Sequence, residues 1–365
     1  MHIAIDARII NTSTGRYVER LIHYLQEVDT TNQYTILVPT KDLTFITPTN
    51  KNFTLKAADF KNYSFAEQTT FKVFLDNLNA DLVHFCMPQQ PILYRGTKVT
   101  TIHDLNLLKT YNSDKNWLIF HAKQLVGHFV FKRIAKTNAH IIVPTDFVKK
   151  EYMAYSHIPE DKITRTYESA DVFIDKLQPY KHPFKEYIMY VGQQSDYKNL
   201  KRLGDAHQKL LADHPDLGLI FVGRKTPGAL NNEAYFTKKG YRNIHYTGFL
   251  KDAQRDWLFK NCRAYVFPSL MEGFGLPALE AMGYGAPVAS SNATCLPELY
   301  EDAAHYFDPL DVDDIARAIN DILVDEKLRN ALIEKGYKQI KKFSWERMAR
   351  QTHTIYMKAL DEKKL

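Results

Sequence analysis

A chain of 365 residues exceeds the usual size of one hydrophobic core, so two domains of ordinary size are expected. Its composition, 45% hydrophobic and 25% charged, is that of a globular protein, and no window approaches the roughly 18 uninterrupted apolar residues of a membrane-spanning helix. A net charge of +6 suits nucleic acid, anionic lipid or an anionic substrate; Lys and Arg are scattered and no nucleic-acid motif accompanies them, so nucleic acid is set aside.

Three cysteines (Cys86, Cys262 and Cys295) are an odd number without metal-like spacing, which points to a reducing compartment, the cytosol, rather than a disulfide framework. The opening residues, Met-His-Ile-Ala-Ile-Asp, are too short and polar for a signal peptide and read as a strand, Ile3 to Asp6. Strand and helix signals then alternate almost throughout, the pattern of parallel α/β sheets. A loop ending in Thr14-Gly15-Arg16-Tyr17 leads to a helix whose Val18, Leu21, Ile22, Leu25 and Val28 share one face. Tyr34 to Pro39 is a strand, and residues 40 to 64 are polar and weakly patterned. A helix from Phe65 to Asn79 leads to a buried strand starting at Asp81, and Lys98 to Ile102 is a strand ending in His103-Asp104. The stretch Asn116 to Lys136 is aromatic and basic. As a helix it could lie on an anionic membrane surface, but its broad apolar positions favour burial against a sheet. Ala139 to Val143 and Ile163 to Thr166 complete this half.

The proline-bearing run from Asp175 to Phe184 reads as a linker, and the domain boundary is expected there. Beyond it the pattern restarts with a strand from Tyr187 to Val191, a loop at Gly192 and a helix from about Asn199. A strand from Leu217 to Val222 ends in Gly223-Arg224-Lys225, and one from Asn243 to Tyr246 ends in Thr247-Gly248-Phe249-Leu250. The strand Ala264 to Phe267 runs into P-S-L-M-E-G-F-G-L-P-A-L-E-A-M-G-Y-G-A-P-V, residues 268–288. Ala304 to Phe307 is a last short strand, helices occupy the region from Val312 to Phe343, and Ser344 looks like the N-cap of a further helix. Asp311 and Asp313 make a D-x-D pair, but they follow Pro309 and open an amphipathic helix. Capping is therefore preferred to metal binding, and no metal is expected.

In residues 268–288 a strand enters a glycine-rich loop, and Pro277 stands where a helix begins, its fixed φ suited to that place. Backbone N–H groups near Gly273, Phe274, Gly275 and Leu276 then point at whatever fills the loop, a site for an anion. Glu272 and Glu280, with seven residues between them, would be repelled by a phosphate and suit neutral hydroxyls instead. Phosphate flanked by hydroxyls on both sides describes a sugar nucleotide.

The stretch resembles the signature of the family 4 retaining glycosyltransferases, E-x7-E followed by A-M-x-x-G-x-P-V, which have the GT-B fold. The resemblance implies an α/β protein of two Rossmann-like parallel-sheet domains around an interdomain cleft. Residues 1–178 would bind the acceptor, 179–342 would bind the sugar nucleotide, and 343–365 would form a helix crossing back to the first domain. Glu272 would hold the transferred sugar and Glu280 the ribose, while His103, in T-T-I-H-D-L, would lie close to that sugar. Gly15 matches the second glycine of the family's G-x-G-R-Y loop, whose first glycine is Ser13 here. Lys198, in Y-K-N-L, matches the lysine of the family's R-K-N-L and is the expected cation on the departing diphosphate, beside the loop's N–H dipoles. The family's Arg directly after the glycine is Gln193 here, and Arg224 or Arg16 would compensate. Base contacts would be made largely to backbone near Phe249 and Leu250.

The same resemblance implies no cofactor beyond the nucleotide-sugar co-substrate, and retention of configuration by front-face attack, the leaving phosphate accepting the acceptor's proton. GDP-mannose is the preferred donor and a UDP-sugar the alternative. The acceptor would be a saccharide or a lipid-linked one, in surface polysaccharide or glycolipid synthesis. A nucleotide-sugar epimerase or phosphorylase on the same scaffold, and a non-catalytic partner subunit, are the competing readings. Glu272, Glu280, Lys198 and His103, all intact, speak against an idle subunit, and Gln193 is the one feature in its favour. The expected location is the cytoplasm, with peripheral contact at the inner face of an anionic membrane left open.

Overall fold

The structure, a computed structural model, describes residues 1–12, 14–109 and 117–362. Ser13 and Asn116, named above, lie outside the described residues. The chain divides into two compact units. One takes Met1–Leu108, Lys123–Glu168 and the segment from Ser344, and the other takes Lys109, residues 117–122 and Ser169–Phe343. The change from first to second falls between Glu168 and Ser169, upstream of the proline-bearing linker.

Up to Arg165 the elements run β1 (His2–Asp6), α1 (Gly15–Val28), β2 (Gln33–Val38), β3 (Phe53–Ala57), α2 (Phe65–Gln68), α3 (Thr70–Leu78), β4 (Leu82–Phe85), β5 (Lys98–Thr101), α4 (Asn106–Lys109), α5 (Trp117–Thr137), β6 (His140–Val143), α6 (Asp146–Ser156) and β7 (Ile163–Arg165), all in the first unit but for Lys109 and the first turns of α5. The strands are all parallel, in the order β3-β2-β1-β4-β5-β6-β7. Strands covered on both faces carry near-continuous apolar runs, and β4, β5 and β6 are buried along their whole length. β3 lies in the stretch that reads as unpatterned. It is an edge strand whose residues after Phe53 are half-buried or exposed, so little alternation marks it. The single helix expected from Phe65 is broken into α2 and α3 at Thr69, whose φ of -113° and ψ of -78° distort the helical turn.

The second unit continues with β8 (Tyr187–Val191), α7 (Leu200–Leu210), β9 (Gly218–Val222), α8 (Pro227–Lys238), β10 (Ile244–Gly248), α9 (Asp252–Asn261), β11 (Ala264–Phe267), α10 (Leu276–Gly283), β12 (Val288–Ser291), α11 (Leu296–Tyr300), β13 (Ala304–Phe307), α12 (Val312–Val324) and α13 (Glu326–Gln339). Its strands are again parallel, in the order β10-β9-β8-β11-β12-β13. β12 is a strand that the reading of residues 268–288 passed over, because four small residues after Pro287 show no period. Asp311 caps α12, accepting from the N–H groups of Asp313 (2.8 Å) and Asp314 (3.3 Å), and Asp313 pairs with Lys209.

α14 (Trp345–Asp361), capped by Ser344, returns to the first unit and packs on α1. There the Tyr356 hydroxyl lies 2.6 Å from Nδ1 of His84, and His84 Nε2 lies 2.9 Å from Thr101 Oγ1, which also meets the Tyr17 hydroxyl at 2.9 Å. Both sheets reverse their strand order once, between β1 and β4 in the first and between β8 and β11 in the second. Ligands in open parallel sheets bind beyond the carboxyl ends of the strands at such reversals, so these two places are where the fold can hold a site.

Candidate active site

At the reversal in the second unit, the segment after β8 meets the segment after β11. Lys198 Nζ lies 2.5 Å from Glu272 Oε1, and both side chains are nearly buried. The ammonium also sits 4.9 Å from the centre of the Tyr197 ring and 5.7 Å from that of Phe267. Burial opposes its charge, yet the Glu272 carboxylate and then Tyr197 and Tyr190 outweigh that, and the lysine pKa is raised. Lys198 is thus a fixed cation. Asn199 beside it has left-handed backbone (φ 62°), which Asn tolerates better than most residues. Its side-chain amide donates to the carbonyls of Pro268 (3.1 Å) and Pro309 (2.6 Å), tying the Lys198 turn to the start of the Glu272 loop.

The backbone of Glu272 is held from the far side by the segment before α11. Its N–H donates to Thr294 Oγ1 (3.3 Å), and its carbonyl accepts from Cys295 Sγ (3.3 Å), which also reaches the Phe274 carbonyl (3.2 Å). Thr294 itself has φ 58°, a rare conformation for a β-branched residue. Gly275 precedes α10 with φ 116°, and a Cβ there would stand 2.2 Å from the Tyr300 hydroxyl, which donates to the Gly275 carbonyl at 2.8 Å. Glycine is required twice over. The helix starts at Leu276, with Pro277 in its first turn, so the partial positive charge of its N-terminus faces the loop of Gly273 and Phe274. Glu280, within α10, is buried, and its charge together with those of Asp256 and Asp252 raises the pKa of Arg255 on α9 against the effect of burial.

Other expected residues lie at the ends of neighbouring strands. Arg224, after β9, stacks its guanidinium 4.9 Å from the centre of the exposed Phe249 ring after β10, and Leu250 beside it is half-buried. Gly223 approaches Gly192 so closely that a Cβ would meet its carbonyl oxygen at 2.3 Å. The Gln193 carbonyl accepts from the Tyr190 hydroxyl (2.7 Å).

In the first unit, His103 follows β5. Its Nε2 lies 3.0 Å from the Cys86 carbonyl, which can only accept, so Nε2 is the protonated nitrogen in this contact. Nδ1 lies 3.4 Å from Oε1 of the buried Glu168, and the Tyr17 ring stands edge-on at 4.8 Å. The imidazole is fixed in orientation. Gly15 opens α1, and its missing Cβ is required by the turn itself, because one would fall 1.8 Å from the Ile10 carbonyl oxygen. Arg16 is half-buried next to it. Residues that the sequence did not mark as functional (Asn199, Thr294, Cys295 and Glu168) contact expected ones or the turns that carry them, and Arg255 lies within the electrostatic reach of Glu280. Only Asn199 carried a local signal, as an Asn where the chain must turn left-handed.

A family model described as "Glycosyl transferases group 1" matches residues 171–339. The O-antigen chain mannosyltransferase B of Escherichia coli is 31% identical over 274 residues, covering 71% of this chain and 69% of that protein. The serotype-specific mannosyltransferase WbdA of Escherichia coli is 30% identical over 268 residues, or 68% of this chain but 32% of that longer protein. Among solved structures, the sucrose-phosphate synthase (tll1590) from Thermosynechococcus elongatus superposes with a TM-score of 0.78 over 99% of this chain and 100% of its own, at 17% identity, a likeness of fold. Two parallel sheets with a lysine–carboxylate pair near the head of α10, and the family match over that same unit, define a transferase of the GT-B class. The chain belongs to the group 1 glycosyltransferases.

Proposed function

We propose that the chain is a retaining, metal-independent mannosyltransferase, taking mannose from GDP-mannose and adding it to a saccharide or lipid-linked acceptor in the synthesis of a surface polysaccharide or glycolipid. The observation that carries the proposal is the buried Lys198–Glu272 pair at the head of α10. Leaving diphosphate gains negative charge as the bond from the sugar breaks, and a preorganised cation and helix N-terminus stabilise it without reorganising. Lys198 and the N–H groups about Gly273 to Leu276 supply that stabilisation. When donor binds, Lys198 turns from the carboxylate to the diphosphate, and Glu272 is released to accept hydrogen bonds from the sugar hydroxyls. Glu280 holds the ribose, Arg224 and Phe249 with Leu250 border the base, and His103 acts on the sugar. The acceptor hydroxyl attacks from the face the diphosphate leaves, and its proton passes to a departing phosphate oxygen. Mannose is favoured because two relatives are named as mannosyltransferases.

The test is to incubate the purified chain with GDP-mannose and a mannose-terminated oligosaccharide in EDTA and to read the product by NMR. An α-linked mannoside is expected. A β-linked product overturns retention, and turnover that returns only on adding Mg²⁺ or Mn²⁺ overturns metal independence. If no nucleoside diphosphate raises the melting temperature, the chain is instead a non-catalytic partner.

A further inference from the structure

His103 is seated on the ends of two neighbouring strands that are joined to each other two residues earlier. Cys86, whose carbonyl accepts from His103 Nε2 at 3.0 Å, lies two residues beyond His84 of β4. His103 itself lies two residues beyond Thr101, the last residue of β5. At that earlier level His84 Nε2 meets Thr101 Oγ1 at 2.9 Å. Tyr17 of α1 touches both levels, its hydroxyl 2.9 Å from Thr101 Oγ1 and its ring 4.8 Å from that of His103. The other nitrogen of His84, Nδ1, finds its partner on α14, the Tyr356 hydroxyl at 2.6 Å. Tyr356, His84, Thr101 and Tyr17 are all buried. Burial, with the charge of His103, lowers the pKa of His84 to about 3, so its ring stays neutral, one nitrogen donating and the other accepting. Among the described residues no second hydrogen bond reaches the Tyr356 hydroxyl. The arrangement that leaves no donor idle has Tyr356 donating to Nδ1 and Nε2 donating to Thr101.

We propose that Tyr356 is a positioning residue for His103, acting through His84, Thr101 and Tyr17. The Tyr356 hydroxyl sets the tautomer and the tilt of the His84 ring, and that ring holds the Thr101 hydroxyl. Thr101 in turn carries the backbone that leads into His103 and steadies the Tyr17 ring that borders the imidazole. A buried Nδ1 deprived of its donor is costly, and the ring relieves that cost by turning. A turned ring loses Thr101, whose hydroxyl is then free to rotate away from Tyr17. Small displacements pass along such a chain because buried polar groups have only one another as partners. On this account α14 does more than fasten the end of the chain to α1: it sets the place of a group in the site. The effect on transfer rests on the proposed action of His103 on the sugar; the placing of the ring does not.

Tyr356→Phe tests this, since it removes one oxygen and keeps the ring. In the full chain carrying isotope-labelled histidine, the NMR signals of the His103 ring are assigned by their loss in His103→Gln. They should move in Tyr356→Phe. A misplacement of about 1 Å can cost about a hundredfold in rate, so a smaller tilt should lower kcat by about tenfold. The donor KM and the affinity for GDP should stay as they were, the split expected of a group that acts mainly in the transition state. Tyr152→Phe is the control: it deletes another buried hydroxyl of the first unit, one that donates to the Phe131 carbonyl at 2.8 Å. Its melting temperature should fall by a similar amount while the His103 signals and kcat hold. Thr101→Val breaks the same chain at its centre and should reproduce the effects of Tyr356→Phe, whether or not that variant folds. Unmoved His103 signals in both chain-breaking variants, equal movement in Tyr152→Phe, or an unchanged kcat would each overturn the proposal. If the parent chain transfers no sugar, the proposed reaction falls, and the ring signals alone decide whether Tyr356 places His103.

Discussion

Lys198 and Glu272, 74 residues apart in the chain, meet at 2.5 Å where the second sheet reverses its strand order. Among the described residues each is the other's only ion-pair partner, in a place nearly closed to water. The pair is a structural bond and, in the proposed reaction, a lock that an incoming diphosphate would have to open.

Removing one partner should cost more than removing both. Lys198→Met leaves the Glu272 carboxylate buried and unpaired, and breaking a buried pair from one side costs about 3–5 kcal/mol. Lys198→Met/Glu272→Gln should recover most of that in urea unfolding, while both proteins bind nucleoside diphosphate weakly. Additive losses would show that the two side chains do not depend on each other.

The two glutamates should separate in calorimetry with the bare nucleotide. Charge-assisted hydrogen bonds to a ribose contribute roughly 1.5–3 kcal/mol, so Glu280→Gln should weaken nucleoside diphosphate binding by about tenfold or more. Glu272→Gln should leave that affinity unchanged or tighten it, because Lys198 is then free, and should slow transfer. The opposite order would mean that the donor lies reversed along α10.

Gly275→Ala should disturb the head of α10. It forces a side chain onto φ 116° and into the Tyr300 hydroxyl. A loss of about 1–3 kcal/mol in thermal unfolding is expected. Gly275→Ala/Tyr300→Phe should regain only part, since the backbone strain remains. Full recovery would show that crowding alone makes glycine necessary there.

His84 should make the first unit sensitive to mild acid. It is fully buried, and burial, with the nearby charge of His103, lowers its pKa to about 3. An unfolded histidine takes up a proton near pH 6.5, which the folded one refuses, so stability falls as pH drops below about 6.5 and the fall ends near 3. Between pH 7 and 5 the loss should approach about 2 kcal/mol. His84→Gln should flatten that slope in urea titrations at the two pH values; an unchanged slope would assign it to other groups.

Much of this was legible in the chain because parallel sheets write themselves as apolar runs punctuated by glycine, and because Gly275 and Pro277 mark where a helix begins. Single residues that grip others across the sheet were not. Glu168 against His103, Thr294 and Cys295 against the Glu272 backbone, and Arg255 against Glu280 are pairings of distant segments, and each of these residues sits in locally unremarkable sequence. The strands β3 and β12 were passed over for a different reason: one lies on an edge and the other is four small residues long.

The return of α14 to the first unit has a consequence for how the protein is made. Tyr356, the partner of His84 in the middle of the first sheet, is synthesised only after every residue of the second unit. The second unit has all its residues once Phe343 is added, whereas the first must wait, with His84 and the α1 surface unsatisfied, for α14. A released chain ending at Phe343 should thus carry a complete second unit and an unfinished first one, and the second should be the more protease-resistant of the two.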